Sequence, residues 1–116
     1  MKKTIILKTN KNSFHTISVN NIEYIQTSGN YTCFFLNNKK KYIVYTSLKN
    51  TINLINDKSL IKIRNNTLIN INYIKKIYTG KICFVELSNG KIFHPSFRLK
   101  KELKDIYLKQ TTVIGK

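Results

Sequence analysis

The sequence predicts a mainly β protein. From residue 4 to residue 87 the chain gives short runs of β-branched and aromatic residues, separated by clusters of Asn, Gly, Ser and Lys. This alternation is typical of short strands joined by turns. The pair Asn89-Gly90 is the strongest local signal for a hairpin, because a two-residue turn there needs positive φ at both positions. Ten short strands are predicted, at residues 4–8, 14–19, 23–27, 31–36, 41–45, 60–63, 67–69, 74–79, 82–87 and 91–93.

Ser47 marks the start of the first of two predicted helices. Its side chain can accept a hydrogen bond from a free N–H group of the first turn. Leu48, Ile52 and Ile55 then recur at helical spacing. We therefore predict a short helix whose apolar face closes one side of the sheet.

The second predicted helix begins at Phe97, with Ser96 as its N-cap. Past Leu108 the apolar periodicity stops, so residues 109–116 are predicted to be a flexible tail. A chain of 116 residues is long enough to bury one core, and residues 1–108 are predicted to form a single domain. The apolar face of the second helix consists of Leu99, Leu103, Ile106 and Tyr107.

The charge of the chain indicates a polyanionic partner. Its 21 Lys and Arg residues outnumber 5 Asp and Glu residues, which gives a net charge of +16 at pH 7. The codon bias of an AT-rich genome explains part of the lysine content, but it does not explain the scarcity of acidic residues, because glutamate codons are also rich in A. Such a surplus favours binding to DNA, RNA, a membrane surface or an acidic protein.

Enzymatic and metal chemistry lack the residues that they need. The five carboxylates form no close pair of the kind used in acid/base catalysis. His15 and His94 have no partner at the spacing of metal ligands, and no glycine-rich loop precedes a helix. The sequence therefore predicts neither an enzyme nor a metal or cofactor site.

Cys33 and Cys83 each lie inside an apolar run, without a paired spacing. This pattern predicts buried core thiols in a reducing compartment. No segment approaches the ~20 apolar residues that a membrane span needs. We therefore expect a cytoplasmic protein without a membrane partner.

Three polar segments carry side chains suited to reading DNA, which needs long, forked or amide groups on backbone that projects from a rigid scaffold. Arg64 and Arg98 are the only two arginines, and arginine offers a planar fork that lysine cannot reproduce. Taken alone, each segment could equally be an ordinary turn or an exposed charge. The segments are Ser28–Tyr31, Lys62–Asn66 and Ser96–Arg98, and the predicted DNA-binding residues in and beside them are Asn30, Tyr31, Lys62, Arg64, Asn65, Asn66, Ser96, Arg98, Lys100 and Lys101.

The same residues carry a family resemblance over residues 15–108. The chain resembles the LytTR-type DNA-binding domain found at the C-terminus of many bacterial response regulators. The run Ile22–Tyr31 resembles the family's strand and Gly-Asn-Tyr-like loop, and Thr46–Lys49 resembles the start of its helix. The run Leu60–Ile77 resembles its signature, with Asn70, Ile74, Lys75 and Ile77 in frame, and Leu87–Lys91 followed by Ser96–Arg98 resembles its hairpin and Ser-x-Arg.

The resemblance implies an elongated fold of about ten short strands in small sheets, whose loops enter successive major grooves. By position, Asn30 and Arg98 inherit the main groove contacts, and Arg64, Asn65 and Asn66 inherit contacts to backbone and bases. Arg64 stands where the family usually has His, and Asn66 where it has Ser, so the target sequence does not transfer. The resemblance implies a bacterial transcription regulator whose partner is double-stranded DNA, with two copies on direct repeats.

A different interpretation is a basic β module that binds RNA or an acidic protein without reading sequence. RNA-binding platforms present aromatic side chains among basic ones on an exposed strand. Packing in a β core explains the aromatic residues of this chain more simply. The side chains that could form a platform are Tyr31, Phe34, Phe35 and Tyr42.

Overall fold

The computed structural model describes residues 3–115. All ten predicted strands and both predicted helices are present, so the prediction of a mainly β protein is confirmed. Neither helix of the described chain is long and apolar enough to cross a membrane. The elements are β1 (Thr4–Asn10), β2 (Ser13–Ser18), β3 (Ile22–Ser28), β4 (Tyr31–Leu36), β5 (Lys41–Tyr45), α1 (Leu48–Ile55), β6 (Leu60–Arg64), β7 (Thr67–Asn70), β8 (Ile74–Tyr78), β9 (Phe84–Leu87), β10 (Ile92–Phe93) and α2 (Lys100–Leu108).

The strands form three sheets in which every pairing is antiparallel. β1 and β2 make a two-stranded sheet, and β10-β9-β8 make a three-stranded one. Between them lies the largest sheet, with five strands in the order β5-β4-β3-β7-β6. The described chain measures 54 × 31 × 24 Å, so the fold is elongated, as the family resemblance implied.

Both faces of the five-stranded sheet are buried along its inner strands, β3 and β7. Neighbouring side chains on β3 and β7, such as Ile25 and Tyr24 or Leu68 and Ile69, belong to different apolar clusters. Successive side chains of a strand point to opposite faces, so a strand covered on both sides reads as a continuous apolar run. The five-stranded sheet is therefore the middle layer of three.

We call the two clusters the first core and the second core. The first lies between the middle sheet, the β1–β2 sheet and α1, and the second lies between the middle sheet, the β8–β10 sheet and α2. The first core contains Leu7, Ile17, Val19, Ile22, Ile25, Phe34, Leu36, Leu48, Ile55 and Leu68. The second contains Tyr24, Ile61, Ile63, Ile69, Ile71, Val85, Leu87, Phe93 and Leu103.

Helix α1 begins where the sequence predicts. The Ser47 hydroxyl accepts a hydrogen bond from the Asn50 N–H at 3.0 Å, which is the expected N-cap. Leu48 and Ile55 are buried, but Ile52 is 37% exposed and Thr51 lies against the core in its place. The predicted apolar face is thus right at both ends and wrong in the middle, because Thr51 satisfies its hydroxyl by donating to the Ser47 carbonyl at 2.8 Å.

Helix α2 begins at Lys100, later than the predicted start at Phe97. The Ser96 hydroxyl is buried and has no hydrogen-bond partner among the described residues, so the predicted N-cap role of Ser96 is wrong. The Ser96 N–H donates to the Ile63 carbonyl at 2.8 Å, which joins the residue to β6. On the predicted apolar face, Leu99 and Leu103 are buried and Ile106 and Tyr107 are half-buried.

The hairpin at Asn89-Gly90 is present, but its turn differs from the predicted one. Of the two residues, Gly90 alone has a positive φ, +88°. The strands close through the Leu87 N–H, which donates to the Lys91 carbonyl at 2.9 Å, so the loop has three residues rather than two. A three-residue loop needs a left-handed residue only at its last position, which is why Asn89 keeps a negative φ.

Cys33 and Cys83 are free thiols that are only half-buried, so the prediction of full burial is wrong. Cys33 lies on β4 opposite Ile43 of β5, beyond the part of the middle sheet that the second core covers. Partial burial raises the pKa of the Cys33 thiol, and the nearby Lys41 opposes this shift. The thiol form of Cys33 is therefore favoured at neutral pH.

Candidate nucleic-acid interface

The first polar segment is the tip of the β3–β4 hairpin. Ser28 pairs with Tyr31, so Gly29 and Asn30 form a two-residue loop. Gly29 has a φ of +59°, which suits the hairpin turn that places glycine at its first central position. Asn30 lies exposed at the tip, and Tyr31 is 55% exposed with its ring edge-on to Tyr45 at 5.3 Å.

The second polar segment is the β6–β7 turn. Arg64 pairs with Thr67 across the turn, so Asn65 and Asn66 form its tip. The Asn66 side-chain oxygen accepts a hydrogen bond from the Thr67 hydroxyl at 2.9 Å, while Asn65 is exposed. Lys62 is exposed on β6 beside the turn. Asn66 thus helps to shape the turn, while it remains exposed together with Lys62, Arg64 and Asn65.

The third polar segment is the turn that leads into α2. Pro95 and Leu99 are buried on either side of it, while Phe97 and Arg98 are exposed. The N–H groups of Leu99 and Lys100 both donate to the Ser96 carbonyl at 3.1 Å. The turn is therefore anchored at both ends and projects two side chains from a fixed backbone.

Hydrogen bonds join the three segments to one another. The Thr27 N–H, at the end of β3, donates to the Asn66 carbonyl at 2.9 Å. The Ser96 N–H donates to the Ile63 carbonyl at 2.8 Å, and the Arg64 guanidinium donates to the His94 carbonyl. We call the resulting continuous surface, residues 28–31, 62–66 and 96–98, the contact surface.

Lysines surround the third segment. Lys100, Lys101 and Lys104 line a groove together with Thr79 and Cys83. Lys101 and Lys104 are exposed and Lys100 is half-buried, because its ammonium lies over the Phe97 ring, 4.3 Å from the ring centroid. This cluster of cations beside an exposed turn suits a phosphate backbone.

The predicted RNA-binding platform is not formed. The Phe34 side chain is 2% exposed within the first core. Phe35 stacks on Tyr24 at 4.2 Å, and Tyr42 packs against His15 at 4.7 Å. Of the four aromatic residues considered, Tyr31 alone is exposed, so these four residues do not form a row of free rings for stacked bases.

Sequence reasoning missed two features of this surface. It assigned Phe97 to a helix, although the ring is 85% exposed, and it gave no role to His94, whose carbonyl receives the Arg64 guanidinium. A signal for Phe97 does exist in the sequence, because this residue lies off the apolar face formed by Leu99, Leu103 and Ile106. No local signal reveals the partner of Arg64.

Comparisons with known proteins agree with this architecture. A family model described as the LytTr DNA-binding domain matches residues 12–107. The fold is similar to a solved LytTr DNA-binding domain of a protein assigned as a methyl-accepting/DNA response regulator from Bacillus cereus, with a TM-score of 0.74 and 18% sequence identity. That match covers 91% of this chain and 97% of the other. Among curated proteins, no significant match was found.

Proposed function

We propose that this chain, which belongs to the LytTr DNA-binding domain family, regulates transcription by reading a specific duplex DNA sequence through its contact surface. The observation that carries the proposal is the pair of backbone hydrogen bonds, Thr27 to Asn66 and Ser96 to Ile63, that aligns three exposed polar segments. Base reading needs side chains held in a fixed register. These bonds supply that register without using the side chains themselves.

Each segment has a proposed task that follows from its chemistry. The Asn30 amide can donate to and accept from an adenine edge, and the Arg98 fork can donate twice to guanine. Lys62, Lys100 and Lys101 are proposed to contact phosphates, which fix the protein on the duplex but carry little sequence information. Arg64 is proposed to hold the third segment in place through the His94 carbonyl, and Asn65, Asn66 and Tyr31 are proposed to complete the surface. Ser96, whose hydroxyl is buried, is proposed to shape the third segment through its backbone.

We further propose that two copies bind adjacent direct repeats in the bacterial cytoplasm. A single contact surface of this size offers few base-reading groups, since its exposed amide and guanidinium residues are Asn30, Arg64, Asn65, Asn66 and Arg98. Two copies on neighbouring sites would double the sequence read and raise the effective concentration of the second copy. The proposal includes no catalytic role.

Selection of bound duplexes from a random DNA pool at physiological salt tests the proposed function. We expect a repeated motif to be enriched, and we expect binding to that motif to weaken steeply with salt, with a slope of about −0.9 per phosphate neutralised. A pool that shows no enrichment would contradict sequence-specific reading. A single motif without a repeat would contradict only the binding of two copies.

The substitution Arg98→Ala separates base reading from phosphate binding. If Arg98 reads a base edge, the variant should lose about 1–3 kcal/mol at the selected motif and much less on random duplex. The matched control is Lys40→Ala, which removes an exposed cation from the β4–β5 loop at the opposite end of β4. Equal losses for Arg98→Ala on both DNAs would show that this residue contacts phosphate only.

A further inference from the structure

Phe97 is an apolar side chain in a surface that otherwise suits a polyanion. Its ring is 85% exposed, and it lies between two predicted contact residues, Ser96 and Arg98. An exposed aromatic ring gives up the free energy that its burial in a core would release. A single exposed ring flanked by Arg98 and Lys100 therefore calls for an explanation.

The local backbone keeps this ring out of the core. Pro95 before it and Leu99 after it are buried, and the Leu99 N–H closes the turn on the Ser96 carbonyl at 3.1 Å. On the surface, the Lys100 ammonium lies 4.3 Å from the ring centroid, a distance at which a cation is attracted to an aromatic face. The ring thus lies against the Lys100 ammonium, next to Arg98 in the sequence.

A ligand for this group must offer negative charge and a small apolar group close together. The major groove of DNA does so, because thymine presents a C5 methyl group there, next to hydrogen-bonding edges and within reach of the phosphates. A lipid surface would need a broader apolar face than one ring. The position of Phe97 next to Arg98, which is proposed to enter a groove, favours DNA.

We propose that Phe97 contacts the C5 methyl group of a thymine that neighbours the base read by Arg98, and that it thereby determines specificity at that position. The proposal rests on the proposed function. Hydrogen bonds from Asn30 and Arg98 recognise the donors and acceptors of the base edges, whereas the Phe97 ring recognises the thymine methyl, the one apolar group in the major groove. Phe97 would then discriminate thymine from cytosine.

Deoxyuridine tests this proposal, because it differs from thymidine only by the missing methyl group. Each thymine of the selected motif is replaced singly, and dissociation constants are measured for the wild type and for Phe97→Ala. To locate the base read by Arg98, the bases of the motif are replaced one at a time. At that base, the replacement weakens binding by the wild type but not by Arg98→Ala. When one thymine beside that base is replaced by uridine, the wild type should lose about fourfold in affinity, which corresponds to the burial of one carbon. Phe97→Ala should lose almost no affinity from the same replacement.

The controls keep the outcomes distinct. Phe97 is mostly exposed, so Phe97→Ala should fold like the wild type, which thermal unfolding checks. If uridine weakens the wild type and Phe97→Ala equally at every position, the proposed methyl contact is wrong. If Phe97→Ala weakens binding to thymine and uridine sites by the same factor, the ring acts in another way, such as insertion between bases, and the proposal is again wrong.

These results also separate the inference from the proposed function. A selected motif whose recognition depends on Arg98, combined with no difference between thymine and uridine, overturns the role of Phe97 alone. A pool without any selected motif overturns both, because there is then no site for either residue to read.

Discussion

The first and second cores lie on opposite faces of the same middle sheet, yet they support different parts of the molecule. The first core is closed by β1, β2 and α1, none of which carries part of the contact surface. The second is closed by α2 and the β8–β10 sheet, and the turn between β10 and α2 supplies Phe97 and Arg98. Packing in the second core should therefore affect both folding and DNA binding, whereas packing in the first should affect mainly folding.

The largest expected effect compares two buried leucines, one from each core. Leu7 is 5% exposed in the first core and Leu103 is 0% exposed in the second. Leu7→Ala and Leu103→Ala should each lower the free energy of unfolding by ~2–5 kcal/mol, because each leaves a cavity. Urea unfolding measures this loss.

The same pair of variants tests the difference between the cores. Under conditions where both variants are folded, Leu103→Ala should weaken binding to the selected motif, since the Leu103 side chain packs α2, which directly follows the third segment, into the second core. Leu7→Ala should bind like the wild type, because β1 carries no part of the contact surface. Equal binding by the two variants would show that the second core does not position the contact surface.

A smaller loss of stability is expected from substitution of Asn70, a buried polar residue at the end of β7. Asn70 is fully buried, donates to the Ile22 carbonyl at 2.9 Å and accepts from the Asn72 N–H at 3.0 Å. Asn70→Ala should cost about 1–3 kcal/mol in unfolding free energy, because it leaves a buried carbonyl without its donor. Asn72→Ala, at an exposed position, is the control and should change stability by less than about 0.5 kcal/mol.

Two serines offer a matched comparison of helix starts. Ser47→Ala should lower the unfolding free energy by ~1 kcal/mol, because it removes the cap of α1. Ser96→Ala should leave stability unchanged within about 0.5 kcal/mol, since the buried hydroxyl has no partner to lose among the described residues. Thermal unfolding of both variants measures this, and a loss for Ser96→Ala as large as that for Ser47→Ala would restore Ser96 as a cap.

The smallest effect concerns the turn after α1. The Ser59 hydroxyl and N–H both bond to the Asp57 carboxylate, at 2.6 and 2.9 Å, and these bonds lower the pKa of Asp57 below 3.8. A carboxylate with a lowered pKa stabilises the fold above its unfolded-state pKa, and this contribution is lost as the pH falls through the folded-state pKa.

Asp57→Asn should therefore be less stable than the wild type at neutral pH and equally stable in strong acid. Urea midpoints measured across this range give the difference directly. Glu102→Gln, a carboxylate in the exposed first turn of α2, is the control for general charge effects. A difference for Asp57→Asn that persists in acid would show that Ser59 does not prefer the charged carboxylate.

The elements could be predicted because their signals are local. Strand residues are recognised from β-branched and aromatic runs, and Ser47 caps α1 through a partner three residues away. Ser96 carries the same local signal as Ser47, yet its N–H is taken by Ile63 on a distant strand. At Asn89-Gly90 the prediction of a hairpin was right and only the loop length was wrong, since the dipeptide suits a two-residue loop and a three-residue one equally.

The site could be predicted in its residues but not in its arrangement. Residue type singled out Asn30, Arg64 and Arg98, because amides and planar forks suit base edges. Their alignment depends on hydrogen bonds between segments far apart in sequence, such as Thr27 to Asn66. For Phe97 the sequence carried two opposed signals, because phenylalanine usually indicates a core, whereas its position off the face of Leu99, Leu103 and Ile106 indicates exposure.

The sequence by itself determined the strands and helices, the net charge and the side chains available for contact, because these depend on residue type and on neighbours along the chain. Only the tertiary structure decided that the middle sheet is covered on both faces, that Arg64 binds the His94 carbonyl and that Phe97 remains outside both cores. The physical reason is that backbone N–H and C=O groups of distant segments choose partners by proximity in space. No periodicity in the sequence encodes that choice.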